Sequence, residues 1–266
     1  MSRENSTPAP KESTKSHWEK FWSEKKEVHE VYSNDNRVLR NISSVTSLRG
    51  KRVLEVGAGT GRDSVGMVEL GASVFMLDYS TNSLNIIREI AAEEKVEVNP
   101  VGGNAFSLPF PDGSFDLVFH QGLLEHFRER QAEDLLKENI RILKSGGLLL
   151  VDVPQRYHIY TLMKHILIAI DKWFAGWERE FSIPELDKLL RSLGVTPIYR
   201  YGEWMYPSLF YRVMREGLRK FGIRLPLNPK PVRALTNLRK RIRESIRTTP
   251  IVLHTSLSCG IISRKP

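Results

Sequence analysis

Arg52-Val53-Leu54-Glu55-Val56-Gly57-Ala58-Gly59-Thr60-Gly61-Arg62 is the stretch on which the reading of the chain turns. Its first half, Val53 to Val56, is a short run of the kind that forms a buried strand. Three glycines at alternating positions follow, and Asp63 to Leu70 then reads as a helix stopped by Gly71. A strand passing through glycines into a helix makes a ligand-binding turn. Without a Cβ the backbone bends tightly and a ligand can approach it closely. The amides of the helix N-terminus point at whatever is bound there.

The spacing is G-x-G-x-G rather than the dinucleotide fingerprint G-x-G-x-x-G, and an acid, Glu55, stands two residues before the first glycine. An acid repels a pyrophosphate and attracts an ammonium group. S-adenosylmethionine (SAM) carries an ammonium and a sulfonium and no phosphate. The stretch resembles motif I of the class I SAM-dependent methyltransferases. A second apolar run, Ser73 to Leu77, ends in Asp78, about twenty residues past the first glycine, the spacing at which an acid meets a ribose diol. A third strand is expected over Val96 to Val101. It leads into Gly103-Asn104-Ala105-Phe106-Ser107-Leu108-Pro109-Phe110, where the resembled family usually has Asp-Ala before Leu-Pro-Phe. Asn104 keeps an acceptor for the adenine amino group but lacks the charge. Phe115 to Phe119 forms a fourth strand, and His120-Gln121-Gly122-Leu123-Leu124-Glu125-His126-Phe127 after it resembles motif IV of the type 11 methyltransferase-domain group. The resemblance assigns cofactor contacts to Glu55, Gly57, Ala58, Gly59, Gly61, Asp78, Tyr79, Asn104, Ala105 and His120, the last through its backbone.

Gln131 to Leu143 is an amphipathic helix, and Leu148 to Val153 a fifth strand after Lys144-Ser145-Gly146-Gly147. Strands alternating with helices argue for an α/β fold with a doubly wound parallel sheet. The resemblance implies a Rossmann-like, seven-stranded sheet, six strands parallel and the last antiparallel, with helical lid insertions. Its weaker part covers Phe181 to Arg200, with a helix after the capping box Ser182-x-x-Glu185 and a sixth strand over Val195 to Tyr201. The last apolar run, Ile251 to Ile262, holds the seventh strand near 257–262. The division expected is a disordered tail over 1–15, N-terminal cap helices over 16–48 with Ser16 as first cap, and the SAM-binding core over 49–154. An aromatic insertion (155–180), core continued (181–201), a basic helical insertion (202–250) and the final core strand (251–266) complete it. Trp18, Phe21 and Trp22 share a face of the first helix, and Tyr32 follows.

At 41% hydrophobic and 27% charged residues, the chain can build a core and does not read as disordered. One cysteine, Cys259, allows no internal disulfide. With no secretory pattern at the N-terminus, the expected location is cytoplasmic, with peripheral contact at the inner membrane face. No Cys, His or carboxylate spacing reads as a metal site, so no metal is expected. The net charge of +9 is concentrated from Arg200 onward, where 15 Lys and Arg face 3 acids. Such an excess points to an anionic partner.

Within 202–250, Phe210, Val213, Met214, Leu218 and Phe221 recur at helical spacing, as do Leu235, Leu238, Ile242 and Ile246, with Arg and Lys between them. Within 155–180 the aromatic residues include Tyr157, Tyr160, Trp173, Phe174 and Trp177. Both insertions leave parallel strands at the ligand-binding edge, so both are expected to cover the reactive end of the cofactor. The function expected is transfer of the SAM methyl, by in-line displacement, to a small or lipid-like, anionic acceptor. His120, Glu125 and His126 are the candidates for proton transfer. Two alternatives stand beside it. One is an RNA methyltransferase, ranked lower because no RNA-binding module or Asn-Pro-Pro-Tyr tetrad is present. The other is a non-catalytic SAM-fold module that docks through 202–250 to an anionic membrane surface.

Overall fold

The computed structural model describes residues 14–24, 36–170, 173, 176–204, 209–226 and 233–266. In chain order the elements are α1 (Lys15–Ser23), α2 (Arg37–Ser43), β1 (Arg52–Val56), α3 (Arg62–Glu69), β2 (Ser73–Asp78), α4 (Thr81–Glu94), β3 (Asn99–Gly102) and β4 (Phe115–Gln121). A 3-10 turn, Leu124–His126, leads to α5 (Glu129–Arg141), β5 (Leu143–Pro154), α6 (Ile159–Ala169), α7 (Ile183–Ser192) and β6 (Thr196–Glu203). The chain closes with α8 (Leu209–Arg219), α9 (Arg233–Ile246), α10 (Pro250–Thr255) and β7 (Ser258–Arg264). One sheet runs β3-β2-β1-β4-β5-β7-β6, with β7 antiparallel to both neighbours.

The sheet is covered on both sides because its central strands are apolar on both faces. Leu54, Val56, Val118, Leu149 and Val151 pack with Leu135 and Leu136 of α5 and Leu186 and Leu190 of α7. The opposite face sends Val53, Leu117, Phe119 and Leu150 against Val38 and Ile42 of α2, Met67 of α3 and Ile87 of α4. The strand order reverses between β1 and β4, so the loops after these two strands diverge. That leaves a crevice at their C-terminal ends, the usual ligand position in an open α/β sheet.

Several boundaries differ from the sequence reading for local reasons. Thr14, not Ser16, caps α1: its Oγ1 accepts from the His17 N–H at 3.3 Å, while Ser16 Oγ lies 3.0 Å from the same oxygen. Strand β3 starts at Asn99 rather than Val96, because Lys95 turns left-handed (φ 56°) and the Val96 N–H still donates to the Ala91 carbonyl at the end of α4. Residues 250–255 form α10 before the final strand begins. Residues 14 and 15 stand at the start of α1, and the rest of the expected tail lies outside the described residues, as do Tyr32 and Phe174. The capping box expected at Ser182 and Glu185 is formed, the Ser182 N–H donating to Glu185 Oε2 at 2.9 Å.

Candidate active site

Gly57, Gly59 and Gly61 all adopt positive φ, at 66°, 56° and 65°, which carries the chain from β1 into α3 within a few residues. The glycines serve two purposes. A methyl group on Gly59 would lie 2.9 Å from Cζ2 of Trp22, so α1 sits directly over the turn. A methyl on Gly61 would lie 2.5 Å from Met76 Sδ, inside the helix–sheet contact. Gly61 therefore lets α3 approach β2 and does not line the cavity, which Gly57, Ala58, Gly59 and Thr60 do. Helix α1 is pinned there by Glu19. Its carboxylate accepts from the Thr81 N–H at 2.7 Å, the Ser80 hydroxyl at 2.9 Å and the Asn82 side-chain amide at 2.9 Å, at the start of α4. Partial burial alone would raise the Glu19 carboxyl, but these bonds hold it below its ordinary value.

The cavity beneath α1 has a volume of about 530 Å³. At its glycine-turn end, Asp78 accepts from the Gly59 N–H and the Ser80 N–H, both at 2.9 Å. Glu55 accepts from the Ser64 hydroxyl at 2.6 Å, and Asp63 from the Leu39 N–H at 3.0 Å. All three carboxylates are buried. Burial pushes Glu55 well above the usual carboxylate range, the Ser64 hydrogen bond opposing and the charges of Asp63 and Asp78 adding to the rise. Burial likewise raises Asp78 against the hydrogen bonds that favour its charge, those from the Ser80 and Gly59 amides foremost. An end built from three buried acids calls for a cationic ligand. SAM fits: Glu55 and Asp63 would hold its ammonium side and Asp78 its ribose, and a phosphorylated dinucleotide does not fit. Tyr79, Asn104 and Ala105 also line this end, together with Phe106. Asn104 Oδ1 already accepts from the Phe106 N–H at 3.0 Å, which fixes the amide and leaves its second lone pair to a ligand.

The motif after β4 divides differently from the expectation. Along a strand successive side chains alternate between faces. Phe119 and Gln121 therefore share one side and His120 takes the other, where it is fully buried with neither ring nitrogen hydrogen-bonded and does not line the cavity. Burial pushes its pKa down to about 3, so the ring is neutral. The structure thus removes the His120 imidazole from the proton-transfer candidates. Gln121, which the sequence reading passed over, lines the cavity instead. Glu125 and His126, on the 3-10 turn, do reach it. Glu125 is 4% exposed, its Oε2 has no hydrogen-bond partner, and burial together with Glu178 pushes its carboxyl up to about 8, Lys164 pulling the other way. Burial lowers the His126 ring, whose Nδ1 lies 3.9 Å from Glu178 Oε1.

The far wall comes from residues that carry no local motif. Asp152, at the end of β5, is held by Arg37 Nη2 at 2.7 Å and by the Tyr201 hydroxyl at 2.8 Å. Lys164 of α6 is buried between Glu178 Oε2 at 2.7 Å and Glu180 Oε1 at 2.6 Å. Trp173 donates from its indole to Glu178 at 3.0 Å, and Tyr160 and Thr161 complete the wall. No described residue of 202–250 lines the cavity. Among the described residues, both cations of this wall, Arg37 and Lys164, are already held by carboxylates. The missed residues become a site only when α6 folds back over the sheet edge, a long-range event with no local motif. Among the described residues no cluster of His, Cys, Asp or Glu is arranged to hold a metal ion.

Comparison with known proteins accords with this geometry. A profile of the methyltransferase domain matches residues 53–147. A demethylmenaquinone methyltransferase of Renibacterium salmoninarum is 34% identical over 110 residues, 41% of this chain and 44% of that protein. A ubiquinone biosynthesis O-methyltransferase of Cupriavidus pinatubonensis is 28% identical over 208 residues, 75% of this chain and 81% of its own. The alignments with the demethylmenaquinone methyltransferases of Renibacterium salmoninarum and Clavibacter sepedonicus span less than half of those relatives, 44% and 43%. Among solved structures, a SAM-dependent methyltransferase of Thermotoga maritima, described as a possible histamine N-methyltransferase, superposes with a TM-score of 0.62 at 22% identity, covering 94% of this chain and 99% of that one. Residues 53–147 are thus a methyltransferase domain, set in the fold of the class I SAM-dependent methyltransferases.

Proposed function

We propose that the chain is a SAM-dependent methyltransferase acting on a small, lipid-like acceptor with a hydroxyl group. The observation that carries the reading is the convergence of Glu55, Asp63 and Asp78, all buried, on the glycine turn of the matched domain. When bound, SAM supplies a methyl group already activated by its sulfonium. The protein's part is alignment and the exclusion of water, which Trp22 and Trp18 of α1 serve from above the cavity. Glu125 lines the cavity, and its buried Oε2 has no hydrogen-bond partner among the described residues. With its pKa near 8 it is suited to accept the proton of a hydroxyl as that oxygen takes the methyl. His126, kept neutral by burial, lines the cavity beside it, and its proposed part is to orient the same group. The lipid-like acceptor is supported by the names of the relatives, which are quinone-pathway methyltransferases, and by aromatic Tyr160 and Trp173 in the wall. An RNA acceptor has less support, because no described residue of the basic segment lines the cavity.

Calorimetry with SAM tests the first part, and absence of binding at millimolar cofactor rejects it. Incubation with methyl-labelled SAM and cell extract, partitioned into lipid, polar, RNA and protein fractions, tests the second. Label is expected in the lipid fraction. Glu125→Gln is expected to lower kcat by about 10²–10⁴-fold with SAM affinity retained.

A further inference from the structure

Helix α6 is polar on the inside and apolar on the outside. Thr161 and Lys164 face the cavity with Tyr160, whereas Ile159 is 69% exposed, Leu162 65%, Ile166 55% and Ile170 53%. A helix of a water-soluble surface has the opposite polarity. A contiguous row of large aliphatic side chains in water marks an interaction face. Among the described residues no helix is long and apolar enough to cross a membrane, so this face is not a span.

A second feature lies at the same end of the molecule. Strands β5 and β6 both run antiparallel to β7, so they run parallel to each other and exit at one sheet edge. From that edge β5 leads into α6, and β6 leads into the segment holding α8 and α9. Residues 209–226 and 233–247 carry eleven Lys and Arg against two acids. Arg219, Lys220, Arg224, Lys240 and Arg241 are exposed, and so is Phe221 among them at 82%. An apolar row and a concentration of cations at one edge are what an amphipathic surface offers a bilayer with anionic headgroups. A nucleic acid would engage the cations and leave the α6 row in water. A second copy would bring a like charge of +9 against this one.

We infer that the outer face of α6 docks to an anionic lipid bilayer, with the basic segment 209–247 supplying the headgroup contacts. The inference rests on the methyltransferase reading for its purpose: the docked helix is also a wall of the acceptor cavity, so an apolar acceptor passes from bilayer to cavity beside α6 without crossing bulk water.

The test is flotation of the full chain with vesicles of phosphatidylcholine, with and without phosphatidylglycerol. The wild type is expected to float with the anionic vesicles and far less with neutral ones. The double variant Leu162→Ser, Ile166→Ser is expected to lose bound protein by about tenfold, the effect of withdrawing two large aliphatic side chains from the interface. The pair Arg219→Glu, Lys220→Glu is expected to reduce the preference for anionic vesicles. Thermal melting and SAM calorimetry confirm that each variant is folded. The inference is overturned if the wild type stays down with anionic vesicles, or if the serine variant floats as well as the wild type. It also falls if sedimentation shows a dimer that the serine variant splits, which would make a second copy the occupant. A protein that binds SAM and ignores vesicles overturns the docking alone. One that floats but takes up no SAM supports the docking and removes the methyltransferase reading.

Discussion

Glu55 is the residue whose chemistry is most exposed to test. In the free chain its carboxyl is raised by burial and by the nearby charges of Asp63 and Asp78. An ammonium ligand favours the ionised form, so binding releases a proton and affinity rises with pH from the ordinary carboxylate range through the raised value. Calorimetry across pH, in buffers of different ionisation heat, is expected to show that slope. Glu55→Gln is expected to flatten it and weaken binding. His120 makes the opposite kind of statement, about stability. Its ring is neutral in the folded chain, with a pKa of about 3 against 6.5 when exposed. The folded state therefore binds fewer protons than the unfolded one between those values. Its contribution is fully present above pH 6.5 and is lost as pH falls toward 3, by at most about 1.4 kcal/mol per pH unit. Denaturation midpoints followed into acid are expected to fall less steeply in His120→Leu than in the wild type.

At the scale of elements, the cofactor end depends on how α1 is seated. Two contacts fix it: the Glu19 carboxylate on the first amides of α4, and the Trp22 ring against Gly59. Gly59→Ala places a methyl group against that ring at a position with φ 56°, so it is expected to cost about 1–3 kcal/mol and to displace α1. Melting and SAM titration of Gly59→Ala, alone and with Trp22→Leu, check this. The smaller side chain should recover part of the affinity if the clash is the cause. Helix α6 shows how an element's role can escape its sequence. Its segment reads as an aromatic lid over the cofactor, but the fold turns Ile159, Leu162 and Ile166 to solvent and buries Lys164.

Across the whole molecule, Arg37, Asp152 and Tyr201 join α2, β5 and β6 at the far wall of the cavity. The Asp152 carboxylate overcomes burial to raise the Arg37 guanidinium, which stays charged. Arg37→Met leaves that carboxylate buried without its cation and is expected to lower stability by about 3–5 kcal/mol, read from denaturant midpoints. What the sequence determined by itself was local: the strand–glycine–helix turn at 52–62, Asp78 at the end of the next strand, the alternation that makes a doubly wound sheet, and the cap at Ser182. Each of these is encoded within a few residues, through backbone conformation and side-chain periodicity, and is legible without knowing what lies across the molecule. The tertiary structure alone decided which residue of His120 and Gln121 meets the cavity, that Gly61 serves packing, and that Lys164, Glu178 and Asp152 form its far wall in place of the basic segment. Those outcomes depend on strand phase and on contacts between residues far apart in the chain, where burial rather than local pattern sets the charge and partner of each group.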